Sequence, residues 1–107
     1  MTDPATNVLH ATIKVRHGQL DRFVAAYAEQ VPALESYGWK LVGGWTTLFG
    51  RIYTVVNVWE VPDLATVLET AARWRESPPG QAFRAVSADV VEEETLTLMR
   101  SLPYHRG

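Results

Sequence analysis

Cysteine is absent from this sequence of 107 residues. Its absence excludes disulfides, thiolate nucleophiles and thiolate metal ligands. No apolar run reaches the roughly 18 residues that a membrane-spanning helix needs. The amino-terminal stretch MTDPATN also lacks the basic and apolar segments of a signal peptide. We therefore expect a cytoplasmic protein of bacterial type, with no membrane partner.

An excess of basic charge is lacking as well. The net charge is −2 and the isoelectric point is about 5.9, so nucleic acid is not expected as a partner. Hydrophobic residues make up 47% of the chain, which is typical of a folded protein and excludes a disordered one. The length fits one domain over residues 1–107. We expect residues 1–7 and 103–107 to be flexible or partner-contacting tails.

Metal-binding patterns are equally sparse. The three histidines include no pair spaced i, i+4, and the run of glutamates at 92–94 alternates in direction along a strand. Gly43 and Gly44 lie inside a predicted strand and do not form a phosphate-binding loop. We therefore expect no metal site and no dissociable cofactor.

The periodicity of the apolar residues predicts seven elements. Pro32 inside the first helix indicates a kink or an early stop there, and Gly38 is expected to end that helix. Phe49 and Gly50 are the predicted turn of a hairpin. The elements are a strand at 8–16, a helix at 19–36, strands at 39–48 and 51–61, a helix from 62 to 76, a short helix at 80–88 and a strand at 90–101.

The hairpin strands each carry two sets of side chains. With an even loop, residue 44 pairs with 55 and residue 42 with 57. This register places the side chains of Ile52, Val56 and Val58 towards the helices. The side chains that alternate with them on the same strand then face away from the helices. A bulge of one residue would swap the assignment on one strand. The set predicted to face away is Tyr53, Val55, Asn57 and Trp59.

The order β-α-β-β-α-β predicts a ferredoxin-like α+β fold. Its four-stranded antiparallel sheet would carry both helices on one face. The opposite face would then expose an apolar patch that is large for a stable monomer. Packing two sheets face to face around a twofold axis would cover the patch. We therefore predict a homodimer with a barrel-like interior.

This predicted interior also defines a candidate site. The first strand should lie antiparallel to the third, so that His10 approaches Asn57. An imidazole can act as a general base, and an amide can donate to a carbonyl oxygen or an oxyanion. The alternative is that these side chains only pack at the dimer interface. The residues predicted to bind substrate around His10 and Asn57 are Thr12, Tyr53, Trp59, Thr97 and Met99.

Three stretches resemble the NIPSNAP family: LVGGWTTLFGRIYTVVNVWEVPD, RWRESPPGQAFRAV and TLTLMRSLPYHRG. The resemblance covers residues 8–105 and implies a dimeric α+β barrel. In this family's pattern a histidine precedes Leu-Trp, and Asn57 stands in its place; Val61 stands for the family's tyrosine. Barrel relatives include cofactor-independent monooxygenases, haem-degrading enzymes, isomerases and lyases, so the fold leaves the function open.

Two functional hypotheses follow from these residues. The first is a small homodimeric enzyme that acts on an apolar or aromatic metabolite by oxygenation, cyclisation or isomerisation. The second is a NIPSNAP-like binding or interaction module without chemistry. A cavity of a few hundred cubic ångströms beside His10 would favour the first, and a filled interior would favour the second.

Overall fold

The computed structural model describes residues 5–105. The chain forms four strands and three helices in this part. They are β1 (Asn7–Val15), α1 (Leu20–Glu35), β2 (Lys40–Thr46), β3 (Thr54–Val61), α2 (Leu64–Glu76), α3 (Pro78–Val90) and β4 (Val91–Arg100).

The strands form one antiparallel sheet in the order β2-β3-β1-β4. β1 therefore lies in the middle of the sheet, between β3 and β4, as the predicted topology requires. The helices pack against one face of the sheet, and α1 and α3 also contact each other. The predicted ferredoxin-like α+β fold is confirmed.

Prolines in the helices behave differently from what the sequence indicated. α1 runs through Pro32 to Glu35, so the predicted early stop is wrong. Gly38 follows the end of α1 with φ of +89°, a conformation that glycine adopts without strain. Pro78 and Pro79 occupy the first turn of α3, where a missing N–H costs nothing. The third helix is therefore longer than the predicted 80–88.

The hairpin between β2 and β3 has a wider loop than predicted. Thr46 pairs with Val55, and the loop takes up residues 47–53 instead of Phe49-Gly50 alone. The register also shifts between Leu41 and Gly43, which is a bulge. Because a one-residue shift exchanges the two faces, the side chains of β2 beyond the bulge change sides.

This bulge overturns the predicted faces of β3. Trp59 lies opposite Leu41 and Leu9, and Asn57 lies opposite Gly44 and Ala11, all on the helix-covered face. The prediction that Asn57 and Trp59 face away from the helices is therefore wrong. Val55 and Val61 are buried on the same side as these two residues.

Two apolar clusters fill the space between the helices and the sheet. One cluster packs Phe23 of α1 and Phe83 of α3 on the centre of the sheet. The other packs the Trp39 and Trp59 rings edge to face, with 5.9 Å between their centroids, beneath α2. Tyr27 contacts both clusters, so it lies where α1 crosses the middle of the core.

The opposite face of the sheet, called the open face below, includes Val8, His10, Thr12, Gly43, Trp45, Val56, Val58, Thr95, Thr97 and Met99. Its residues are half-buried or exposed. At one end of the sheet, Thr6 and Ser101 exchange hydrogen bonds. The parts of the predicted tails at residues 1–4 and 106–107 lie outside the described residues.

Candidate functional site

A cavity of about 280 Å³ lies between α1 and the β2–β3 edge of the sheet. We call it the helix-side cavity. Its rim includes exposed residues of α1 and β2, and its floor is buried. The lining residues are Phe23, Val24, Tyr27, Ala28, Gly44, Trp45, Thr46, Val55 and Asn57.

The floor of the cavity carries an amide without a hydrogen-bond partner. Asn57 is only 6% exposed, and its Nδ2 atom donates to no acceptor within residues 5–105. Leaving a buried donor unsatisfied costs roughly 1–3 kcal/mol. Such a group in a folded protein calls for an explanation.

Other buried donors in the same layer are satisfied. The Trp39 Nε1 atom donates to Thr70 Oγ1 at 2.9 Å. The Trp74 Nε1 atom donates to Gln30 Oε1 at 3.0 Å. The core therefore pairs its polar atoms as a rule, and Asn57 is an exception beside a cavity.

Tyr27 is the second polar group of the cavity. Its phenolic oxygen accepts a hydrogen bond of 2.8 Å from Trp59 Nε1. Burial raises the pKa of the Tyr27 phenol, and the negative charge of Glu94 adds to this, whereas the Trp59 N–H and the Asn57 amide act in the opposite direction. The phenol is therefore protonated at neutral pH.

Gly44 makes room for the amide. A Cβ atom at position 44 would lie 2.7 Å from Asn57 Oδ1, which is closer than real Cβ contacts come. The two residues face each other across the β2–β3 pair. Glycine at this edge therefore keeps both the amide position and the cavity open.

The predicted site residues separate into two groups in the structure. Asn57 and Trp59 lie on the helix-covered face, and Asn57 lines the cavity. His10 lies opposite Val58 and Thr97, on the open face. The predicted cluster of His10 with Asn57 and Trp59 is therefore wrong, because the sheet separates them.

The remaining predicted residues also lie away from the cavity. Thr12 and Met99 belong to the open face with His10 and Thr97. Tyr53 lies in the hairpin loop, with φ of +63°, and its ring contacts His17 edge to face at 4.8 Å. None of these residues lines the helix-side cavity.

Sequence reasoning missed Tyr27, Gly44 and Thr46 as parts of the site. Tyr27 lies between Phe23 and Gln30 on the buried side of α1, where its spacing is that of a core residue. The signal that it differs from a purely apolar position is its hydroxyl, because a buried phenol needs a partner. The Gly43-Gly44 pair inside a strand was the second signal, since strand glycines often mark bulges and close approaches.

A second, wider groove lies between α3 and β4. Gln81, Arg84 and Glu94 contribute its polar groups. Burial raises the pKa of Glu94, and the positive charge of Arg75 opposes this increase. The groove contains no buried polar atom without a partner among the described residues. The helix-side cavity is therefore the better candidate site.

The cavity lining contains no charged side chain and no histidine. Within residues 5–105, no three histidine, aspartate or glutamate side chains come together as a group able to hold a metal ion. None of the helices in this part is sufficiently long and apolar for a membrane span.

The fold and the cavity define a ferredoxin-like α+β protein with a pocket between its first helix and the edge of its sheet. The sequence model of the NIPSNAP family matches residues 10–106. The chain belongs to the NIPSNAP family. No curated protein matches this sequence.

Solved structures of similar fold include NIPSNAP proteins from two bacteria. One from Agrobacterium tumefaciens, of unknown function, has 20% identity and a TM-score of 0.82, and the match covers 94% of this chain and 91% of that protein. An uncharacterised one from Burkholderia xenovorans has 20% identity and a TM-score of 0.79, and the match covers 94% of this chain and 99% of that protein. A Nitrosomonas europaea protein named as a candidate antibiotic biosynthesis monooxygenase has 15% identity and a TM-score of 0.66, over 90% and 98%. At these identities the likeness establishes the fold alone.

Proposed function

We propose that this protein binds an apolar or aromatic metabolite in the helix-side cavity and transforms it without a dissociable cofactor. The observation that carries the proposal is the buried, unpartnered amide of Asn57 on the cavity floor. The transformation is an oxygenation, a cyclisation or an isomerisation. The cellular form is a cytoplasmic homodimer.

Energetics support a ligand in this cavity. An apolar side chain of the same shape at position 57 would avoid the unsatisfied donor, so the amide costs the folded chain stability. A bound molecule that supplies an acceptor removes this cost. The volume of about 280 Å³ lies just below the range of roughly 300–1,000 Å³ that holds drug-sized ligands. The metabolite is therefore small, on the scale of one or two fused rings.

The lining restricts the chemistry. It offers hydrogen-bond donors but no ionisable acid or base other than the Tyr27 phenol. Cyclisation and isomerisation rearrange the ligand's own bonds and need no further reactant. Oxygenation of a ring CH₂ to a carbonyl consumes one O₂ and releases one water, with the ligand supplying all four electrons. The monooxygenase name of the Nitrosomonas europaea relative is consistent with this last reaction.

The open face supports the homodimer. Trp45 and Met99 are 54% and 44% exposed there, beside the half-buried Val56 and Val58. A second copy that packs on this face would remove these side chains from water. We place His10 at this interface, together with Thr12, Thr97 and Met99.

The alternative function is a NIPSNAP-like binding or interaction module without chemistry. The exposed hairpin loop favours it, because Leu48 and Phe49 are 90% and 99% exposed at its tip. Two large apolar side chains in such a position are suited to contact with another macromolecule. Under this alternative the helix-side cavity has no ligand.

Filling the cavity tests the proposal. Ala28 and Ala25 are both exposed on α1, but only Ala28 lines the cavity. We expect 1-naphthol to bind the wild-type protein in a calorimetric titration, Ala28→Phe to abolish binding, and Ala25→Phe to leave it unchanged. Equal binding by both variants, or none by the wild type, would reject the site.

Turnover is tested separately. 1-Naphthol incubated with the protein in air should be oxidised to 1,4-naphthoquinone through the ring CH₂ of its keto tautomer. One O₂ should be consumed and one water released for each quinone that mass spectrometry detects. Binding of ring substrates without turnover would overturn the proposed transformation, and binding would be all that is left of the proposal.

A further inference from the structure

We infer that the ligand of the helix-side cavity presents an uncharged carbonyl-type oxygen to Tyr27 and Asn57, which act together as a pair of hydrogen-bond donors. The inference rests on the proposed function and specifies its ligand class. It depends on the hydrogen-bond pattern around these two side chains and on the absence of charge in the lining.

Trp59 occupies one acceptor position of the Tyr27 oxygen and leaves the phenol hydrogen available to donate. A phenol has one hydrogen to donate, and its oxygen can accept at the same time. The oxygen of Tyr27 already accepts from Trp59 Nε1 at 2.8 Å. The phenol's own hydrogen makes no hydrogen bond to an acceptor in residues 5–105. An oxygen atom of a ligand in the cavity would accept it.

Asn57 supplies the second donor at the same place. Both side chains line the helix-side cavity, and contact with the Asn57 amide lowers the pKa of the Tyr27 phenol. The Nδ2 atom of Asn57 has no acceptor in residues 5–105, and its Oδ1 atom lies on the side of Gly44. Two donor groups therefore belong to the lining of one cavity.

The lack of charge selects among oxygen ligands. No cationic side chain lines the cavity, so nothing would compensate the desolvation penalty of a carboxylate that is buried there. The negative charge of Glu94, which acts on Tyr27, adds to this penalty. An ammonium group would lack both an acceptor and an opposite charge. A neutral carbonyl oxygen satisfies both donors without these costs.

Apolar side chains form most of the remaining cavity wall and restrict the shape of the ligand. Phe23, Val24, Ala28 and Val55 line the cavity around the two donors. Such walls suit a flat ring body, with Phe23 available for contact with an aromatic face. The ligand class is therefore a small ring ketone or quinone-like carbonyl compound.

Three probes of one shape test the inference: α-tetralone, tetralin and 1-aminotetralin. They share a bicyclic body and differ in a carbonyl, a methylene and an ammonium group at one position. In calorimetry with the purified full chain, the ketone should bind at least about tenfold more tightly than the hydrocarbon. The amine should bind more weakly than either. Because tetralin is the more apolar probe, hydrophobic burial alone predicts the reverse order.

Variants identify the donors. Tyr27→Phe and Asn57→Leu should each reduce the ketone preference to within about threefold while tetralin binding stays the same. Thr12→Val on the open face is the control and should keep the full preference. Two separate variants guard against the misfolding of one, which circular dichroism would reveal.

The outcomes separate the two proposals. If none of the probes binds, the proposed function fails and this inference fails with it. If tetralin and α-tetralone bind the wild type equally, the cavity binds ligands but the donor pair has no role, and only this inference is overturned. Preferential binding of the amine would overturn it as well.

Discussion

Gly44 and Asn57 share one small space: a Cβ atom at residue 44 would lie 2.7 Å from the amide oxygen of residue 57. The pair lies at the edge of the sheet, and both residues line the helix-side cavity. The relationship links a strand glycine to a buried donor that lacks a partner among the described residues. Under the proposed function, the glycine leaves the space in which the amide meets its ligand.

Replacing Gly44 with alanine should displace the Asn57 amide and weaken binding of α-tetralone by about tenfold or more, because the Cβ atom enters its space. Val42→Ala on the same strand is the control. The Val42 side chain is exposed and does not line the cavity, so its truncation should leave binding unchanged. Calorimetry checks both variants, and equal losses would contradict the assignment.

Asn57→Leu should raise the stability of the ligand-free protein. The leucine has a similar shape and removes a buried unsatisfied donor, so we expect a gain of about 1–3 kcal/mol in the free energy of unfolding. Urea denaturation without ligand measures this gain. A loss of similar size would mean that the amide already has a partner in the folded chain.

Thr70→Val should have the opposite effect. The Thr70 hydroxyl accepts from Trp39 Nε1 at 2.9 Å in the core, and valine leaves this indole N–H without a partner. We expect a loss of about 1–3 kcal/mol in the free energy of unfolding. The same denaturation series compares it with Asn57→Leu, and equal signs for the two variants would contradict the account of paired and unpaired donors.

The pH dependence of stability should report on Glu94. Burial raises the pKa of this carboxyl above its usual 4.5, with Arg75 opposing. The folded state therefore keeps its proton up to a higher pH than the unfolded state does. As the pH rises through the folded pKa, this group lowers the free energy of unfolding. Its destabilising effect is fully present above that pKa and absent below 4.5.

Glu94→Gln should therefore stabilise the protein at pH 7 and lose this advantage as the pH falls to 4.5. Glu93→Gln, one position along the same strand and on the other face, is the matched control for the loss of one negative charge. Urea denaturation at the two pH values gives the comparison. A stabilisation by Glu94→Gln that grows on acidification would contradict the raised pKa of this carboxyl.

Most of the fold was predictable from periodicity, and most of the site was not. The clean alternation of β1 and the β-α-β-β-α-β order were enough for the sheet topology. The two glycines of β2 favour a bulge but do not indicate at which residue the register shifts, so the shift between Leu41 and Gly43 could not be placed from the sequence. That single shift decided which face Asn57 occupies.

The candidate site was predicted in part for the same reason. Asn57 is recognisable in the sequence as a polar residue inside a valine-rich strand, whichever face it occupies. His10 was grouped with it only through the assumed register. Tyr27 was hidden because a tyrosine in the stripe of an amphipathic helix has the same spacing as a core residue.

A ¹H–¹⁵N correlation spectrum of backbone and side-chain resonances during titration with α-tetralone shows directly whether the ligand lies against Asn57 and Tyr27. Large shifts are expected for the Asn57 amide and for the Trp59 indole that bonds to Tyr27, and none for the backbone amides of His10, Thr12 and Thr97. Shifts confined to the open face, with Asn57 and Trp59 unchanged, would contradict this position of the ligand.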